Sequence, residues 1–217
     1  MTEKRCMVFD LDGTLVDTRL DLANTVNLML RYYGEPPLSL EQVVGMVGDG
    51  MKKLLERALA NRPAGAAPID FDEAQEVMQR SYRANLNLTA SLYPGVYVTL
   101  KELQAKGWKL AVLTNKPDDF CKSTLYDLGI APFFNVILGG TPDFPLKPAP
   151  DGMQFILDIL GIEDPSDCWM VGDGAPDLLV GKAVGMKTAF AAYGFGNDLK
   201  GATYDIKIDR FEQLKEL

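Results

Sequence analysis

Short runs of apolar residues recur along the chain at 6–9, 110–113, 136–138, 169–171 and 188–191. Runs of this length without polar alternation are the pattern of strands buried on both faces, as in parallel sheets covered by helices. Between them the apolar positions change to helical spacing. Val96, Leu100 and Leu103 share one face, as do Cys121, Leu125 and Leu128, and again Phe155, Ile156, Ile159 and Leu160. Strands alternating with helices of this length predict βαβ units, a parallel sheet and right-handed crossovers.

The alternation breaks between about residues 16 and 88, where no strand pattern is found. Helical patterns occupy 20–33, 51–60 and 71–85, separated by Pro36-Pro37 and by a Pro/Gly/Ala-rich stretch at 62–68. The expected architecture is α/β: a Rossmann-like parallel-sheet core built from residues 1–15 and 89–217, with an inserted α-helical cap domain at 16–88. Such an insert would lie over the carboxyl ends of the strands, where open α/β sheets bind ligands.

Composition narrows the classes. With 217 residues, 47% of them hydrophobic, the chain can bury a sizeable core without staples. The net charge of −8 argues against nucleic acid or an anionic membrane as the main partner. No signal-peptide pattern or bilayer-length apolar stretch is found, so a cytoplasmic protein, monomeric or homodimeric, is expected. The three cysteines, Cys6, Cys121 and Cys168, lie far apart in sequence without a C-x-x-C pair. They read as buried thiols, not as a disulfide framework or zinc site. Histidine is absent. This excludes a Ser-His-Asp triad, a Cys-His pair and any His-ligated metal, and leaves acid–base chemistry to carboxylates, lysines or tyrosines.

Four motifs follow predicted strands. Asp10-Leu11-Asp12-Gly13-Thr14 puts two carboxylates just beyond the first strand, with Gly13 allowing a tight turn whose amides can face an anion. Thr114 and Asn115, in Leu113-Thr114-Asn115-Lys116, offer a hydroxyl and a backbone amide to a phosphate; as a bland alternative Thr114 caps a helix. Lys147, in Lys147-Pro148-Ala149-Pro150, is a cation in a proline-stiffened loop. Asp173 and Asp177, in Gly172-Asp173-Gly174-Ala175-Pro176-Asp177, close a further strand; Asp173 with Asp10 makes a hard-oxygen pair suited to Mg²⁺. A nucleophile, a second acid, a hydroxyl, a cation and metal carboxylates on one sheet edge form the set that phosphoryl transfer needs.

In order and spacing these motifs resemble the haloacid dehalogenase superfamily over essentially the whole chain. The helical insert looks like that family's C1 cap. Val47-Gly48-Asp49-Gly50, the following helix, and Tyr93-Pro94-Gly95-Val96 resemble the phosphoglycolate phosphatase branch. The resemblance implies a Mg²⁺-dependent phosphoric monoester hydrolase acting on a small phosphorylated metabolite, phosphoglycolate or a sugar phosphate. Asp10 would be nucleophile and metal ligand. Asp12 would protonate the leaving alkoxide, then activate water, and bind Mg²⁺ through its carbonyl. Thr114, Asn115 and Lys147 would bind phosphate, Asp173 the metal, and Asp177 would orient from behind.

Specificity is expected around Gly48, Asp49, Gly50 and Lys52. Three positions depart from the pattern: Gly174 stands where Ser is usual, Pro176 where Asn is common, and Asp49 where Asn is frequent. The last would add negative charge near the cleft and counts against phosphoglycolate. A β-phosphoglucomutase-like mutase would need Lys52, Lys53 or Arg57 for a second phosphate, although a solvated helix face is the better reading of these three. A pyrophosphatase or a non-catalytic metabolite-binding module are the remaining alternatives.

Overall fold

The structure is a computed structural model that describes residues 5–196 and 199–217. The first four residues of the expected core segment lie outside the described residues. The expected α/β architecture is present. Six parallel strands form one sheet in the order β5-β4-β1-β6-β7-β8. They are β1 (Cys6–Phe9), β4 (Lys109–Pro117), β5 (Val136–Gly140), β6 (Trp169–Gly172), β7 (Lys187–Ala191) and β8 (Ile206–Ile208). The edge strand β8 is missing from the sequence reading, because Ile-Lys-Ile is too short to stand out as an apolar run.

Helices α5 (Val96–Ala105), α6 (Asp118–Asp127), α7 (Asp151–Leu160) and α8 (Ala175–Ala183) cover both faces of the sheet. The alternation of β1 explains how. Met7 and Phe9 pack with Val96, Leu100, Leu125 and Phe211 on one face. Cys6 and Val8 pack with Met153, Ile156 and Val180 on the other. Each such side chain contributes about 1.5–3 kcal/mol by leaving water, so β1, buried throughout, is the rigid platform on which the following loop stands.

The segment after β1 departs from the expectation in two details, a short pair of strands and a fourth helix. A two-residue strand, β2 (Val16–Asp17), pairs antiparallel with β3 (Ser91–Leu92), where the sequence shows no strand pattern. Between them lie α1 (Arg19–Tyr32), α2 (Leu40–Val44), α3 (Met51–Ala60) and α4 (Phe71–Asn85). Local signals start two of these helices. Ser39 and Gln42 form a capping box on α2, and the Asp70 side chain accepts from Glu73 N at the start of α4. The four helices share an apolar cluster of their own, with Val26, Met29, Leu55, Met78 and Tyr82 inside it. Phe120 from α6 reaches into this cluster.

All three cysteines are free and buried. Two of them are not apart in space: Cys6 N donates to Cys168 Sγ at 3.2 Å, since their strands are neighbours. Among the described residues no helix is long and apolar enough to cross a membrane.

Candidate active site

The strand order puts β4, β1 and β6 side by side, so the loops that follow them meet at one sheet edge. Asp10 leaves β1 with its amide on Val171 O at 2.9 Å, which locks it to β6. Its Oδ1 accepts from Leu11 N at 2.7 Å and sits 3.0 Å from Lys147 Nζ. Lys147 is also 2.6 Å from Asp177 Oδ1 and donates to Leu113 O at 2.7 Å. Burial opposes its charge, but Asp10 and Asp177 outweigh burial and raise its pKa, so it is an ammonium. The proline-flanked lysine, bland by itself in sequence, is thus aimed inward by three acceptors.

Asp173, at the end of β6, is held on both oxygens. Thr14 Oγ1 donates to Oδ1 at 3.2 Å; Phe195 N and Gly196 N donate to Oδ2 at 3.0 and 2.9 Å. This cradle leaves no room for side chains on its rim. At Gly13, with φ +84°, a Cβ would stand 2.2 Å from Asp173 Oδ2, and at Gly196 it would stand 1.9 Å from the Asp173 carbonyl oxygen. Gly13 is therefore needed both for its left-handed backbone and for the contact it permits. Nothing in the sequence reading pointed to the 193–196 loop, because its role depends on β7 lying beside β6.

Carboxylate oxygens of Asp10, Asp173 and Asp177 all lie within 4.8 Å of one another. Burial, then Asp177 and Asp10, push the Asp173 pKa up to about 8, against the two loop amides. Burial and then Asp10 raise that of Asp177, against Lys147. Lys147 contacts two of these three side chains, Asp10 and Asp177, and not Asp173; the cluster is a donor set of hard oxygens that fits a divalent cation. A consequence for the metal-free protein follows from linkage. The folded state holds the Asp173 proton up to about pH 8, whereas an unfolded aspartate releases it near pH ~4. Between these values the folded state binds more protons, so stability falls as pH rises. Thermal denaturation in chelator should give a lower Tm at pH 8 than at pH 5, and saturating Mg²⁺ should flatten the difference.

The Asp12 side chain turns away from this cluster. It accepts from Thr18 Oγ1 at 2.9 Å and from Lys116 Nζ at 2.9 Å on Oδ1 and 3.2 Å on Oδ2. Lys116 also donates to the Tyr82 hydroxyl. Neither Lys116, Tyr82 nor Thr18 was singled out from the sequence.

The β4–β5 register shifts between Leu113 and Pro117, an irregularity that re-aims Thr114, Asn115 and Lys116. Thr114 is not a helix cap here: it lies inside β4, and α6 begins after Pro117. The Asn115 side chain is spent on backbone. It donates to Gly48 O and Lys147 O at 3.0 Å each and accepts from Lys147 N at 2.7 Å. It ties the lysine loop to the segment before α3 and leaves only its main chain for a phosphate.

A cleft of about 390 Å³ opens over this edge. Asp10, Asp12, Thr114, Asn115, Asp173 and Asp177 form its floor, and Gly48, Asp49 and Gly50 stand in its helical wall. Lys52 is not in that wall: it is exposed, with Nζ over the Phe71 ring at 5.8 Å. Lys53 is exposed and paired with Glu56 at 2.6 Å. Neither lines the cleft. Arg57 does line the cleft, but it is engaged by Asp49 and Met46 O.

The expected surplus charge at Asp49 is corrected by the same contact. Arg57 pairs with it and Lys200 Nζ lies 3.7 Å away, so it brings its own counter-charge. The other two departures are accommodated. Gly174 N donates to Asp177 Oδ2 at 3.0 Å, closing the turn through backbone. Pro176 sits in the first turn of α8, where a missing N–H costs no helical bond.

A haloacid dehalogenase-like hydrolase family matches residues 4–185. Phosphoglycolate phosphatase 1 of Pseudomonas aeruginosa is 37% identical over 195 residues, covering 89% of this chain and 71% of that protein. The phosphoglycolate phosphatase of Psychrobacter arcticus is 34% identical over 218 residues, covering 98% of this chain and 94% of that protein. Among solved structures, a predicted phosphoglycolate phosphatase from Haemophilus somnus is 30% identical with a TM-score of 0.92, covering 100% of this chain and 98% of that one.

Proposed function

The chain belongs to the haloacid dehalogenase-like hydrolases, and from that premise we propose that it is a Mg²⁺-dependent phosphatase whose substrate is phosphoglycolate. The activity class, phosphoric monoester hydrolase, is that of its relatives. The observation that carries the residue roles is the split of the two motif carboxylates. Asp10 is held by Lys147 at 3.0 Å in the carboxylate cluster, whereas Asp12 faces Lys116 at 2.9 Å.

Asp10 attacks phosphorus, the ester P–O bond breaks, and Asp12 gives its proton to the leaving alkoxide oxygen. Asp12, now a carboxylate, takes a proton from water, which attacks the phospho-aspartyl group and frees Asp10 and phosphate. Thr114 and Lys147 bind the non-bridging phosphoryl oxygens. Asp177 fixes Lys147 from behind. Mg²⁺, held by Asp10, Asp173 and the Asp12 carbonyl, would supply charge neutralisation at those oxygens. Helices α1–α4, residues 16–88 by this reading, act as a cap that excludes water from the cleft.

Phosphoglycolate is favoured over a sugar phosphate on two grounds, the relatives' names and the compensated charge at Asp49; the outward placement of Lys52 and Lys53 counts instead against a phosphomutase, which needs a second phosphate site. The test is phosphate release from phosphoglycolate, hexose phosphates, amino-sugar phosphates and pyrophosphate, with and without chelator. Preferred, Mg²⁺-dependent release from phosphoglycolate is expected. A different preferred ester would replace the substrate, and release that survives chelation would remove the metal.

A further inference from the structure

Lys116 is a buried lysine that the reaction as drawn leaves without a task. Its side chain is 2% exposed, yet it lies in the cleft wall. Burying an ammonium costs several kcal/mol unless partners are close and well placed. Here they are Asp12, reached on both oxygens, and the Tyr82 hydroxyl. A carboxylate on one side and a hydroxyl oxygen on the other give its ammonium hydrogens acceptors in place of water.

Tyr82 belongs to α4, in the helical layer, and is 1% exposed. Its ring packs edge-on against Phe120 of α6 at 4.6 Å between centroids, and Lys116 Nζ lies 4.9 Å from its centre. Lys116 therefore spans the two layers: its backbone is in β4, and its ammonium is shared between an acid of the core and a hydroxyl of the helices.

We propose that Lys116, held from the helical layer by Tyr82, is the positioning residue for Asp12 and the counter-charge for the carboxylate that Asp12 becomes on protonating the leaving group. This rests on Asp12 being the acid of the proposed reaction. When the P–O bond breaks, the leaving oxygen takes the Asp12 proton, and a new carboxylate appears beside a cleft that already holds Asp10, Asp173 and Asp177. Lys116 donates no proton. It neutralises that new charge in place, and an ammonium already oriented needs no rearrangement during the step. Because Tyr82 supplies its remaining contact, the arrangement is complete only with the helices seated.

Leaving-group dependence separates this role from a structural ion pair. An alkoxide needs a proton to depart, whereas a nitrophenolate does not. The value of kcat/KM reports steps up to departure of the alcohol, before water enters. It would be measured for an alkyl ester and a series of substituted phenyl phosphates, with wild type, Asp12→Asn, Lys116→Met and Tyr82→Phe. Asp12→Asn serves as reference and should lose most on the alkyl ester and least on nitrophenyl phosphate. If it does not, the acid assignment itself fails.

With that reference in place, Lys116→Met should show the same steepening. About tenfold or more is lost on the alkyl ester, a fraction of the ~10²–10⁴ that a general acid supplies, and little on nitrophenyl phosphate. Tyr82→Phe keeps the ring against Phe120, so it tests the same point should Lys116→Met fail to fold; a smaller steepening in the same direction is expected. Equal losses across the series in both variants would overturn the proposal. An unchanged slope in Tyr82→Phe alone would remove the link to the helices.

Discussion

Asp10→Asn is expected to abolish phosphate release, by more than about 10⁴-fold, while leaving the protein as stable as wild type or more so. An amide is no nucleophile toward phosphorus, so no phospho-enzyme can form. The fold should not suffer, because Asn keeps the size of the side chain and an oxygen for the Leu11 amide at 2.7 Å. It also removes one of three carboxylates crowded within 4.8 Å. Lys147 retains Asp177 at 2.6 Å and Leu113 O at 2.7 Å, so no charge is left unpaired. Phosphate release, trapping of phosphorylated protein by acid quench, and thermal denaturation read the three parts. Turnover clearly above the buffer blank would eliminate the covalent role of Asp10.

The opposite outcome is expected at Lys147. Lys147→Ala should both inactivate the protein and destabilise it. It deletes an ammonium in contact with both Asp10 and Asp177, and the Lys147 and Asp177 side chains are 2% and 3% exposed. Removing one partner of a buried pair costs about 3–5 kcal/mol, because the remaining charge stays out of water. For a chain of this size that corresponds to a fall in Tm of roughly 6–20 °C. Saturating Mg²⁺ should restore part of the loss by neutralising the same carboxylates. A fall of less than about 2 °C in the metal-free protein would mean that solvent already screens the cluster and that the lysine serves the ligand alone.

The two variants together say what kind of site this is. Its floor is assembled against electrostatic repulsion, with Asp173 pushed up to about 8 and with glycines where any side chain would displace it. Such a floor is tolerated where a cation and a charged ligand are to be bound.

The sequence by itself determined the parts that local pattern encodes. Apolar runs mark strands because a strand buried on both faces must be apolar throughout. That placed five of the six sheet strands, and with them the rule that the residues after β1, β4 and β6 share an edge. Asp10, Asp12, Thr114, Asn115, Asp173 and Asp177 were legible because each follows such a run within a few residues. The absence of histidine settled which side chains were left for acid–base work.

Only the tertiary structure decided what those side chains face. Lys116 meets Asp12 across 104 residues of chain and Tyr82 across 34, and no periodicity records either contact. The same holds for the Phe195 and Gly196 amides on Asp173, for Arg57 and Lys200 beside Asp49, and for Cys168 behind Cys6. Lys52 was misplaced because a lysine on a helix reads alike whether its face meets the cleft or the solvent. The physical reason is common to all of them. Burial preference acts residue by residue and leaves its mark along the chain. Charge pairing acts over a few ångströms of space, and which groups come that close is decided by how strands and helices stack.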